Sequence, residues 1–283
     1  MSPLIENVSD TARWVAMYRA MESARPDALF HDPYAARLAG ERGVRIVEGM
    51  PGGRSWGWPM VVRTTVFDEI VQREVAAGID RVVNLAAGLD MRPYRLDLPP
   101  TLQWVDVDLP AMTAEKEAAV QGDTPRCHVT RIAADLADPA GRREALARAM
   151  HGAQRTLVIT EGLLIYLRED DVVALARDLA AQPSAKRWLT DIAAPILLKW
   201  MAGRWGKVVA EGGAPFRFAP ETGAGWFAQH GWRQREFRGT MLEAARLKRQ
   251  PPGSWLYQLL GFLTPATVRQ QWARVGYVLL ERD

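Results

Sequence analysis

The chain has 283 residues, 48% hydrophobic and 24% charged, an ordinary globular composition that can bury a large core. A net charge of +3 is only mildly basic; the densest basic stretch, 233–249, sets six Lys/Arg against Glu236 and Glu243 and reads as a solvated face, so no nucleic-acid partner is expected. One cysteine excludes an internal disulfide framework and any Cys-based zinc site, and no divalent metal site is apparent. The opening MSPLIENVSD has neither a positive leader nor an apolar stretch. No apolar run approaches the roughly 20 residues that span a bilayer. The expectation is a soluble, cytoplasmic protein with no membrane partner.

Between Ser9 and Arg25, apolar Trp14, Met17, Tyr18 and Met21 fall on one helix face. Asp32-Pro33-Tyr34 reads as a cap with proline in the first turn, opening a short helix that Gly40 ends. A glycine-rich connector, GMPGGRSWGWP (49–59), leads to a long helix from about Met60 to Ala77. The rhythm then changes. RVVNLA (81–86), QWVDVD (103–108), CHVTRIAAD (127–135), TLVIT (156–160) and RWLTDIA (187–193) read as five strands, with Cys127 as a buried inert thiol. Helix-compatible stretches lie between them, the clearest being REDDVVALARDLAA (168–181) with acids in its first turn. Strands alternating with helices predict a doubly wound, Rossmann-like parallel sheet. WRQREF (232–237) and GYVLLER (276–282) add a terminal antiparallel pair. Residues 196–230 break the pattern with an irregular, aromatic- and glycine-rich insertion, which either lines a pocket for a flat substrate or packs on the sheet. The division expected is one domain: a helical cap (1–58), a cofactor-binding core (59–195), the insertion (196–230) and C-terminal strands (231–283).

Ligands of doubly wound sheets sit beyond the carboxyl ends of the strands. After the first strand stands VVNLAAGLDMRPY (82–94), where a dinucleotide fingerprint would need glycines at 86, 88 and 91. The sequence has Ala86, Gly88 and Met91, and Met91 would obstruct the close helix approach that a pyrophosphate uses. A ligand with ribose and no phosphate fits better, which disfavours a nicotinamide-dependent oxidoreductase. An acid about 20 residues on should take the ribose hydroxyls. Asp106 and Asp108 share one strand face, and Asp108 is nearer the carboxyl end; its other reading is a cap for the turn before Pro110. Asp135, with Leu136 beside it, ends the third strand, where an acid can accept from an adenine amino group. From Arg63 to Gly78 is 15 steps, roughly 22 Å of helix, and from Arg81 to Gly88 is 7 steps, roughly 23 Å of strand. The match sets Arg63 beside the Gly88 turn, where it either grips a ligand carboxylate or pairs with Asp68 or Glu69 at the surface. Sites for carboxylate, ribose and adenine around one turn describe S-adenosylmethionine.

The same residues carry a resemblance. RPDALFHDPYAARLAGERG (25–43), RTTVFDE (63–69), VVNLAAGLDMRPYRL (82–96), WVDVDLP (104–110) and TEGLLIYL (160–167) occur in register over most of the first 195 residues. In this the chain resembles the leucine carboxyl methyltransferase-like enzymes, class I S-adenosylmethionine-dependent O-methyltransferases. The resemblance implies a methyltransferase sheet with an extra helical cap. It implies that Arg63 holds the cofactor carboxylate, Gly88 lies under the methionine part and Asp108 binds ribose. Asp135 and Leu136 then reach adenine, and Glu161 sits at the methionine end facing the acceptor. The family more often has Gly at Ala86, which bears on cofactor affinity, and Thr at Met91, which bears on packing. Its bacterial members include enzymes that methylate polyketide carboxyl or hydroxyl groups; its eukaryotic members methylate a protein C-terminal carboxylate.

The expected acceptor is therefore a small molecule with a carboxyl or hydroxyl group, with a protein C-terminus or a non-catalytic cofactor-binding role as alternatives. A carboxylate of pKa about 4 is already ionised at pH 7, whereas a phenol near 10 must lose a proton at roughly 4 kcal/mol, so a base would help. No unmistakable base is present, which tilts the expectation toward a carboxylate. His31 and His230 are candidates, each open to a purely structural role. Tyr166 is a candidate for substrate contact, or else for the core.

Overall fold

Short β-branched runs alternating with helical segments have to be layered to bury their apolar faces. The computed structural model, which describes residues 4–211, 213, 215–251, 253, 254 and 264–282, is layered in this way. Strands β1 (Arg81–Leu85), β2 (Gln103–Asp108), β3 (His128–Ala133), β4 (Thr156–Thr160) and β5 (Ala185–Ile192) are parallel in the order β3-β2-β1-β4-β5. β7 (Gly276–Glu281) pairs antiparallel with β5, and β6 (Arg233–Gly239) antiparallel with β7 at the sheet's edge.

Alternation along the strands separates two cores. Val83, Val105, Val158, Trp188 and Val278 face helices α6 (Pro139–Met150) and α7 (Glu169–Ala180), joined by Phe227 and Trp232. Val82, Trp104, Ile159, Leu189 and Tyr277 face helix α3 (Trp58–Ala76) through Val62, Val66, Phe67 and Ile70. The outermost charged edge is internally matched: Arg233 and Arg235 both meet Glu281, and Arg238 meets Glu236 and Glu69.

The first helices differ in detail from the sequence expectation. Helix α1 (Val8–Ser23) stands as expected; α2 (Ala35–Gly49) is broken at Gly40, whose φ of 54° and ψ of −170° end its first stretch as expected, and a second helical stretch that was not expected follows to Gly49. Asp32 leads into this helix as a cap does, its side chain accepting from Tyr34 N at 3.0 Å and its carbonyl from Ala35 N at 3.3 Å; buried, it also accepts from Arg19 Nε at 2.8 Å. The short helix α4 (Arg92–Arg95) follows the β1 turn, and Met91 is fully buried among Ala16, Leu38, Ala39 and Met112, tying α1 and α2 to that turn.

The expected irregular insertion is corrected most. Pro195–Glu211 form a helix, α8, and Gly223–His230 a 3₁₀ segment. Gly203 and Gly206 obscured the helix, since each disfavours one by about 1 kcal/mol. Tertiary packing overrides that preference: Trp205 is buried with Trp14, Tyr18 and Val47, and Trp200 and Met201 pack beside it. Among the described residues, two further helices, α9 (Thr240–Arg246) and α10 (Ala266–Ala273), lie between β6 and β7.

Helix α5 (Pro110–Ala119) is pinned to β2 by a buried ion pair, Lys116 Nζ to Asp106 Oδ2 at 2.7 Å, while Trp104 Nε1 donates to Asp106 Oδ1. Lys116→Ala leaves the Asp106 charge buried without its main partner and should cost about 3–5 kcal/mol, read as a lowered urea midpoint. Lys116→Met with Asp106→Leu should recover part of that loss, because no charge is then buried alone; no recovery would show that the pair does not act through charge.

Candidate active site

A cavity of about 1540 Å³ opens beyond the carboxyl ends of β1, β2, β4 and β5. It exceeds the roughly 300–1,000 Å³ usual for one drug-sized ligand, so two molecules fit side by side. Arg63, Ala86, Gly88, Asp108, Glu161 and Tyr166 all border it.

On one side lies the turn after β1. Ala86 and Gly88 both take left-handed backbone, φ 52° and 47°. A Cβ on Gly88 would meet the Ala12 Cβ at 3.2 Å, so the residue is required by backbone angle and by the closeness of α1. The turn is fastened from β2: Asp108 Oδ2 accepts from Gly88 N at 2.6 Å, and Oδ1 from Leu109 N at 2.7 Å. Burial raises the Asp108 carboxyl above its ordinary range, against those two backbone donors. Asp106 is buried, committed to Lys116 and Trp104, and does not border the cavity, whereas Asp108, the acid preferred from the sequence, does.

The floor is a network of buried charge. Arg63 Nε donates to Glu161 Oε1 at 2.9 Å, and its Nη1 reaches Asp191 Oδ2 at 3.3 Å. Arg92 Nη1 donates to the other Glu161 oxygen and to Asp90, both at 2.7 Å, and Arg92 Nε to Asp68 at 2.7 Å. Arg95 holds Asp68 through two donors, and Asn84 Nδ2 steadies Asp90 at 2.9 Å. Burial alone would raise the Glu161 and Asp90 carboxyls; the arginines outweigh it and hold both below their ordinary values. Arg63 has neither of the surface partners considered for it, because Asp68 is taken by Arg92 and Arg95 and Glu69 by Arg238 and Arg246.

Another part of the wall is aromatic. Trp56 and Trp200 lie with ring centroids 4.6 Å apart, Trp200 and Trp205 5.3 Å apart, and Tyr166 stacks on Phe216 at 5.6 Å. Burial pushes the Tyr166 phenol up to about 12, so it is protonated at neutral pH and cannot serve there as a base.

Four expected residues stand off the cavity. His31 is exposed before α2. His230 packs on Trp226 at 4.2 Å near α7, where burial lowers its pKa. Asp135 is exposed, accepting from Ala137 N at 2.9 Å, and Leu136 packs partly on the sheet core. Since Asp108 is level with Ala133, Asp135 and Leu136 form the next step outward at the rim.

The leucine carboxyl methyltransferase sequence profile matches residues 12–180, more than half of the chain. The chain belongs to this family. A provisionally named S-adenosyl-L-methionine-dependent methyltransferase of Streptomyces coelicolor is 33% identical over 238 residues, 78% of this chain and 82% of that protein. One from Parafrankia is 32% identical over 268 residues, 87% and 83% of the two chains. Among solved structures, a DUF574 family protein from Streptomyces avermitilis shares the fold with a TM-score of 0.62 at 14% identity, covering 96% of this chain and 97% of that one. The protein is thus an S-adenosylmethionine-dependent methyltransferase of the leucine carboxyl methyltransferase family.

The sequence reading did not foresee Arg92, Asp90, Asp68 and Asp191 as members of the charge network at this cavity. Arg92 and Asp90 lie inside the DMRPY stretch, and a charged pair directly after a strand-end turn was the available signal. Asp191 had none, because its partners Arg63 and Gly162 are 128 and 29 residues away.

Two predictions follow from the local chemistry. At Ala86 a left-handed backbone costs roughly 1–2 kcal/mol, while a glycine costs about 0.5–1 kcal/mol in chain entropy. Relief of strain wins narrowly, so Ala86→Gly should raise stability by about 0.5 kcal/mol in urea unfolding, and a loss would contradict the strain. Tyr18 and Tyr166 are each raised by burial to about 12. Both favour the protonated form when folded, so their stabilisation is complete below pH 10 and is lost as pH rises through 12, up to roughly 2.7 kcal/mol each. Thermal unfolding across pH 8–12 should fall steeply above 10; a flat profile would contradict their burial.

Proposed function

We propose that the enzyme transfers the methyl group to oxygen, on a carboxyl or hydroxyl group of a small molecule, as a cytoplasmic step of bacterial secondary metabolism. The observation that carries this reading is one cavity bordered by an Arg63–Glu161 pair, by an acid at the β2 end and by aromatic side chains. The donor set fits the cofactor: a carboxylate tail suits Arg63, and a positive sulfonium suits a wall that carries Asp90, Asp108, Glu161 and Asp191. Actinobacterial relatives support a bacterial setting.

In this reading Arg63 holds the tail carboxylate, Glu161 meets the methionine end facing the acceptor, and Ala86 and Gly88 pass beneath it. Asp108 accepts the ribose hydroxyls with lone pairs not used by Gly88 and Leu109, and Asp135 with Leu136 meets adenine at the rim. When bound, the cofactor supplies a methyl group activated by positive sulfur. The chain supplies alignment and the exclusion of water by the tryptophans, and positioning of this kind can contribute roughly 7–11 kcal/mol.

Isothermal titration with S-adenosylhomocysteine tests the assignment. The wild type should bind, and Arg63→Ala should bind more weakly by about 1.5–3 kcal/mol, the worth of a lost charged hydrogen bond. An unchanged affinity removes Arg63 from the site, and no binding by the wild type ends the reading.

A further inference from the structure

The cavity wall carries the guanidinium groups of Arg19, Arg63, Arg92 and Arg95. Each is already engaged. Arg19 is held by Asp32 and the Leu89 carbonyl, Arg95 by Asp68, Arg92 by Asp68, Asp90 and Glu161, and Arg63 by Glu161 and Asp191. With Asp108, the carboxylates of this site outnumber its arginines. Among the described residues no lysine or histidine borders the cavity, and the one further cation there is Arg269 on α10, which is exposed to solvent. Even with a cofactor of net charge +1, the one cation on the described cavity wall left for a second carboxylate is the solvent-exposed Arg269. A buried carboxylate needs a charged partner; an uncharged ring system needs only the flat faces of Trp56, Trp200, Tyr166 and Phe216.

What a hydroxyl acceptor needs is a proton acceptor, and one carboxylate is placed for it. Four acids border the cavity; Asp108 has both oxygens engaged by Gly88 N and Leu109 N, and of the other three Asp191 is the most exposed, its side chain 23% accessible against 15% for Glu161 and 13% for Asp90. Its Oδ1 is fixed by Gly162 N at 2.6 Å, while Oδ2 keeps only the 3.3 Å contact to Arg63.

Resting on the reading of this cavity as a cofactor-and-acceptor site, we propose that the acceptor is an uncharged aromatic alcohol, methylated on its hydroxyl, and that Asp191 takes the hydroxyl proton. The acceptor oxygen forms a bond to the methyl carbon as the carbon–sulfur bond breaks. The bonding pair stays on sulfur, and the proton passes to Asp191 and then to solvent. This reverses the preference for a carboxylate that acceptor acidity alone suggests.

The test begins with titration of S-adenosylhomocysteine, whose failure to bind overturns the cofactor reading and this one with it. On the saturated protein, 2-naphthol and 2-naphthoate are then compared by calorimetry at pH 7. At least tenfold tighter binding of the naphthol is expected; equal or tighter binding of the naphthoate, or no binding of either at millimolar concentration, overturns the proposal. Turnover of labelled S-adenosylmethionine is then followed with a panel of phenols and aromatic acids. Phenols should be methylated, and a panel in which none is methylated overturns the proposal. For the phenol turned over fastest, Asp191→Asn should lower kcat about 100-fold or more with KM little changed, the loss shrinking as pH rises toward the phenol's own pKa near 10. An undiminished kcat, or a loss independent of pH, overturns the role of Asp191. The wild-type binding comparison stands by itself if that variant fails to fold.

Discussion

Glu161 receives Arg63 on one oxygen and Arg92 on the other, and the rest of the site is arranged around that shared carboxylate. Arg63 comes from the helix before β1, Arg92 from the helix after it, and Glu161 from the turn after β4. Three segments distant in sequence are thus locked by charges buried from water. Pairs of this kind add little net stability, since desolvation offsets their attraction, yet breaking one strands a charge. Their effect is geometric: the guanidinium of Arg63 is held at one spot on the cavity floor.

The sheet explains why the charges can meet there. β1 is central, flanked by β2 and β4, so the turn carrying Gly88, the Asp108 end and the Glu161 turn rise side by side. β5 follows β4 and brings Asp191 alongside. Helices α1 and α2 close over the β1 turn through Met91, and α8 brings its tryptophans against α1. The cavity is bordered both by these charges and by aromatic side chains, and the two meet where Tyr166 feels the charges of Arg63 and Asp191.

Much of this was legible from local pattern. Strands β2 and β4 match their expected bounds, and the antiparallel β6–β7 pair is present as expected, although the insertion of β7 between β5 and β6 was not foreseen. Arg63, Ala86, Gly88, Asp108, Glu161 and Tyr166 were named from sequence and all border one cavity. What escaped was decided by tertiary contact. Helix α8 was hidden by glycines that its tryptophans override through burial. Gly40 carried a local stop signal, but the chain resumes its helix because Ile46 and Val47 beyond the kink have a core to enter. His31 and His230 drew notice as residue types able to carry protons, and type does not report direction: one faces solvent and the other packs on Trp226. Asp191 was invisible because both of its partners lie far away in the chain.

A crystal structure with S-adenosylhomocysteine bound tests the central claim most directly. The account predicts its carboxylate within hydrogen-bonding distance of the Arg63 guanidinium, with the ribose hydroxyls on Asp108 and the sulfur turned toward the aromatic wall. Density for the compound at any other place, or a tail lying away from Arg63, would contradict it.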